Sequence, residues 1–83
     1  MRSGDCAAGL LEAHAVVEYY RRSPPTTLEM ANALRVAALA EAAAGEADSA
    51  RKHWDEARTL YGDAGVADGV VEATRRVAAL ASA

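Results

Sequence analysis

Three interruptions divide this 83-residue chain into four stretches of helix length: Ser23-Pro24-Pro25, Gly45, and the run from Gly62 to Gly65. Proline removes a backbone donor and restricts the residue before it, while glycine accepts the left-handed conformation that commonly ends helices. Start signals follow the stops. Thr26-Thr27-Leu28-Glu29 puts a glutamate three residues after Thr26, the capping-box pattern. Asp48 and Ser49 open the third stretch, and Asp68 is a candidate N-cap for the fourth. The spacing predicts helices over 5–22, 26–44, 48–61 and 68–81. Each carries apolar residues at helical period: Leu10, Leu11, Ala13, Val16, Val17 and Tyr20; Met30, Leu34, Ala37 and Ala38; Trp54, Ala57, Leu60 and Tyr61; Val70, Val71, Val77 and Leu80. Arg21 and Arg22 close the first helix, where cations suit the dipole, and Lys52 is placed to pair with Asp48 and Glu56 at i,i+4. Short connections, about three to six residues, force consecutive helices antiparallel.

Composition supports one all-α domain over 1–83. Alanine, the best helix former, supplies 22 residues, and there is no Ile or Phe. The volume-filling residues are seven Leu, seven Val, two Met, three Tyr and Trp54, so the core is small. Partners, neighbouring repeats or self-association are the expected supports for such a core. A formal charge of −3, with cations spread along the chain, argues against nucleic-acid binding. Glu12, Glu18, Arg35 and Glu41 interrupt every candidate membrane span, and Asp5 and Glu12 break any signal-peptide profile. The expected location is the cytoplasm, with which a single cysteine agrees. The bias to arginine over lysine, with abundant alanine, suggests a GC-rich genome.

Ala50, Trp54 and Ala57 lie at steps of four and three, so two small residues flank the only tryptophan on one helical face. Small residues let a neighbouring helix approach, and Ala38 on the preceding helix is the natural surface for Trp54. An offset of 41 lays "RVAALA", 35–40, on an identical "RVAALA", 76–81. The same offset lays Gly9, Ala13, Val16 and Tyr20 on Ala50, Trp54, Ala57 and Tyr61.

That combination resembles a tetratricopeptide repeat over residues 30–80. Leu34 and Ala38 match the family's inner helix, Ala50, Trp54 and Ala57 its outer helix, and Ala79 repeats Ala38. "ARTLYGDAGVADGVVEA" is similar to the junctions of longer, roughly 40-residue repeats in large bacterial signalling regulators. Glu41 and Ala47 stand where the family often has aromatics, Gly62 replaces its helix-breaking proline, and one complete repeat is fewer than the three a solenoid usually needs. The resemblance implies antiparallel helical hairpins, about four helices, forming a segment of a right-handed superhelix, as a compact unit or a fragment of a larger regulator; a closed four-helix bundle is the alternative.

The candidate chemistry is sparse. Cys6 sits near a helix start with Asp5 opposing activation of its thiol. His14 with Glu18, and His53 with Glu56, have the spacing of ordinary surface pairs, with no third ligand for a metal. No phosphate loop and no set of nucleophile, base and orienting group can be assembled. The chain reads as a non-enzyme without cofactor or metal. Arg35 and Arg76 are equivalent under the repeat and, with Asn32 and Leu39, are expected to line a groove for a peptide or protein segment, acidic or ending in a carboxylate. Ala73 stands where Asn32 would recur, and both arginines have Glu29, Glu41 or Glu72 as competing partners. The alternative function is a self-associating bundle with a structural or small-ligand-binding role. Val70, Val71, Tyr19 and Tyr20 would then form a homodimer face involving the fourth helix.

Overall fold

Every junction in the chain is held by a local hydrogen-bond pattern that its sequence prescribes. The structure, a computed structural model, describes the backbone of residues 3–81 and the side chains of residues 8–81. Four helices run in order: α1 Ser3–Arg22, α2 Thr27–Ala43, α3 Ala47–Asp63 and α4 Ala67–Ala81. Among the described residues there is no strand.

Thr26 caps α2 in an extended conformation, its Oγ1 accepting the Glu29 amide at 3.2 Å while the Glu29 carboxylate reaches back to the Thr26 amide. The next two junctions are built alike. Gly45 (φ 83°) and Gly65 (φ 75°) take the left-handed conformation. The Glu46 amide then donates to the Glu41 carbonyl at 2.8 Å, and the Val66 amide to the Tyr61 carbonyl at 2.9 Å. With the second bonds, from Gly45 to Ala42 and from Gly65 to Gly62, each is a Schellman motif. This geometry restarts the next helix sooner than the carboxylates suggest. α3 begins at Ala47 and α4 at Ala67, so Asp48 and Asp68 lie inside the first turn, where they favour the dipole, rather than capping it. Gly62 stays helical, and the break falls at Gly65.

The principal interfaces join consecutive helices, α1 to α2, α2 to α3 and α3 to α4. A closed bundle would add α1 against α4, which is not among them. The result measures 37 × 33 × 18 Å, about two helices thick. Two apolar clusters hold it together. One joins Ala13 and Val17 of α1 to Ala31, Leu34 and Ala37 of α2 and Ala57 and Tyr61 of α3. The other joins Ala38, Ala50, Trp54 and Ala73, with Leu39, Val77 and Leu80 around them. Trp54 is thus a buried knob among three alanines, as the small–large–small spacing predicts. Gly69 permits a close approach of α4 to α3: a Cβ there would overlap the Tyr61 ring.

Two expectations about faces need correction. On α1 the buried residues are Ala13 and Val17; Leu11 is 71% and Val16 44% exposed, because α2 covers one side only. Ala79, the counterpart of Ala38, is exposed. Ala38 is covered by α3, and no described helix stands in that relation to Ala79.

Candidate functional site

The residues expected to form one groove have three different roles. The Arg35 guanidinium forks onto Glu72, with Nε to Oε1 at 2.8 Å and an Nη to Oε2 at 3.4 Å, tying α2 to α4. Arg76 lies 3.8 Å from the same carboxylate, and its guanidinium carbon sits 5.7 Å from the Trp54 ring centroid. The Arg35 hydrogen bond holds the Glu72 carboxyl below its ordinary range and raises Arg35 in turn. The two arginines do converge, but on a carboxylate from their own chain. Leu39 packs beside the Trp54 cluster. Asn32 accepts a hydrogen bond from the Tyr61 hydroxyl, and burial pushes the Tyr61 ionisation up.

A second constellation was not legible from local spacing. Glu41, only 1% exposed, accepts from two histidines: His14 Nε2 lies 2.6 Å from Oε2 and His53 Nδ1 2.7 Å from Oε1. The two imidazoles meet edge to face, with centroids 6.4 Å apart. Thus His14 bonds across to α2 instead of pairing with Glu18, and His53 does so instead of pairing with Glu56. Glu56 takes the fork of Arg21, at 3.0 and 2.9 Å, which holds its carboxyl low. The available signal was Glu41 itself, a carboxylate in register with Leu34, Ala37 and Ala38 that needed donors from elsewhere. The separations are hydrogen-bond lengths, shorter than the roughly 3.3 Å between two ligands on one zinc ion. Among the described residues, no group of three or more His, Cys, Asp or Glu has the arrangement to hold a metal. The cluster is a polar tie across α1, α2 and α3. The side chain of Cys6 lies outside the described residues.

The third feature is a groove of about 510 Å³ between α1 and α2. Gly9, Ala13, Val16 and Tyr20 form one wall, and Ala33 and Val36 the other. Val16 is 44% and Val36 52% exposed, and a Cβ on Gly9 would meet open space. Its charged lining residues are Glu12 and Glu29, and Asn32 is also in the wall. Of the residues expected to bind a peptide, Asn32 alone lines this groove. A smaller apolar hollow lies at the other end, between the last turn of α3 and Val66, Val70 and Val71. No helix among the described residues is long and apolar enough to cross a membrane. Compared with known proteins, the chain matches no protein-family model, no curated protein and no solved structure.

Proposed function

We propose that the chain is a non-enzymatic protein-interaction module, a tetratricopeptide-like pair of helical hairpins that holds a peptide or protein segment and works in the cytoplasm, as a unit or within a larger bacterial regulator. The observation that carries this reading is the open α1–α2 groove: an apolar trough with valines exposed on both walls. The consecutive packing of the helices and the paired Gly45 and Gly65 junctions agree with a repeat array. The test is a selection of peptides on the folded domain, with each binder rechecked against Val36→Arg and Arg35→Glu. Binders lost on either variant support the reading. A selection yielding no binder, or only binders indifferent to both, overturns it.

Self-association has one observation of its own, the exposure of Val71 (54%) beside the hollow at the α4 end. Molar mass by light scattering over a concentration series tests it. A constant monomer mass removes this second reading, while a mass that rises and falls again with Val71→Arg supports it.

A further inference from the structure

The internal repeat identifies what the α1–α2 groove lacks. Gly9, Ala13, Val16 and Tyr20 on α1 are the counterparts of Ala50, Trp54, Ala57 and Tyr61 on α3. Asn32 and Val36 on α2 are, by the same offset, the counterparts of Ala73 and Val77 on α4. In the second half, Ala73, Val77 and Leu80 are the α4 residues of the Trp54 cluster, and Ala38 and Leu39 of α2 complete it. In the first half, Asn32 and Val36 border the groove, and the position of the indole is held by Ala13. No described helix stands before α1 as α2 stands before α3. The groove is therefore the Trp54 site without its knob and without its third wall.

Building on the interaction-module reading, we propose that this groove docks a partner helix carrying a tryptophan with basic residues one turn to either side. The indole fills the space that Ala13 leaves, and the body of the partner helix supplies the missing wall. The basic residues answer Glu12 and Glu29, the two charged side chains in the lining. An aromatic knob in a small-walled pocket, ringed by charge pairs, has the form of an interface hot spot. A second copy of this chain cannot supply the knob, because its Trp54 is 1% exposed.

The probe is an alanine-based helical peptide of about 16 residues with one Trp and a Lys one turn to each side, titrated by calorimetry into the whole chain. Two control peptides replace the Trp by Ala or the lysines by Glu. The expected result is saturable binding, weakened about tenfold or more without the Trp, as loss of a hot-spot side chain predicts. Reversing the lysines, or changing Glu12→Gln with Glu29→Gln, weakens it several-fold and flattens its salt dependence; glutamine at 29 keeps the capping-box chemistry. Gly9→Leu closes the open side of the trough and Val36→Arg places a cation in it. Both sit at exposed positions, so the fold is retained, and both abolish binding. Binding that survives Gly9→Leu and Val36→Arg, or that is unchanged in the Trp-less peptide, overturns the proposal. So does absence of binding.

An arm with an acidic peptide ending in a free carboxylate separates the two levels of the argument. If the chain binds that peptide, loses it on Arg76→Glu and ignores the Trp–Lys peptide, this inference fails while the interaction-module reading stands. If the chain binds neither probe and the peptide selection is also empty, both fail. If the mass rises with concentration and Gly9→Leu restores the monomer, a second copy covers the groove and the inference fails.

Discussion

The two halves of the molecule share a helix-pair plan and differ in one volume. Between α3 and α4 the plan is complete: Trp54 is enclosed by Ala38, Ala50 and Ala73, with Arg76 over its ring. Between α1 and α2 the corresponding position holds Ala13, and the same pair of helices leaves a trough with Val16 and Val36 on its walls. The same helix-pair plan therefore yields a closed packing in one half and an accessible apolar surface in the other. A helix pair that keeps its plan but lacks the knob leaves an open apolar trough where the other half has a packed core.

The sharpest way to break this comparison is to make the second half like the first. Trp54→Ala should cost about 3–5 kcal/mol, the usual cost of emptying a buried aromatic site. In so small a domain that is a large share of the total stability, and urea unfolding followed by circular dichroism measures it. A loss below about 1 kcal/mol would mean the indole is not the keystone of the α3–α4 packing. Glu41→Ala should cost about 1–3 kcal/mol, since it strips two imidazole donors of their acceptor at the junction of three helices. Glu12→Ala, on the groove wall, should stay within about 0.5 kcal/mol. Equal effects would show that the Glu41 tie is not structural.

The glycines sharpen the contrast in sign. Gly69→Ala should destabilise by about 1–3 kcal/mol, because the new Cβ must displace the Tyr61 ring near its root. Gly9→Ala should stabilise by about 0.5–1 kcal/mol, since its Cβ meets open space and alanine is the better helix residue. Thermal unfolding of the two variants side by side reads both signs, and a stabilising Gly69→Ala would contradict the close α3–α4 approach.

The smallest effect is electrostatic. Glu72 and Glu56 keep their carboxylates ionised to lower pH in the folded chain than in the unfolded one, through the forks of Arg35 and Arg21. The unfolded state therefore binds more protons in that window, and the stabilisation is full above the ordinary glutamate value of 4.5 and is lost as pH falls through the depressed native value. Both pairs are partly exposed, so each contributes below about 1 kcal/mol. Glu72→Gln should lower the urea midpoint at pH 7 and converge on the parent chain as the solution is acidified. A gap that stays constant with pH would detach Glu72 from the link between α2 and α4.

Much of the fold was legible because local signals agreed. The Thr26 capping box, the Pro24-Pro25 stop and Gly45 mark where the backbone must change course, and the Ala–Trp–Ala spacing marks the face that must be buried. The same signals misplaced the starts of α3 and α4, because the Schellman turns there, not the aspartates, set the restart. The site was much less legible. His14 and His53 look like surface residues within their own helices, and their common acceptor lies 27 and 12 residues away. Arg35 and Arg76 are equivalent in sequence, but Glu72 stands between them in space.

The sequence alone determined four helices, their order, their antiparallel connections and Trp54 as the knob set against Ala38 of α2, because capping, periodicity and side-chain size act within a turn or two of the chain. Only the tertiary structure decided which carboxylates are spent on internal pairs, that Glu41 joins three helices, and that the face beside Ala13 remains open. Those outcomes depend on which side chains meet across helices. Two equally good helical faces differ only in whether a neighbouring element supplies the volume to cover them.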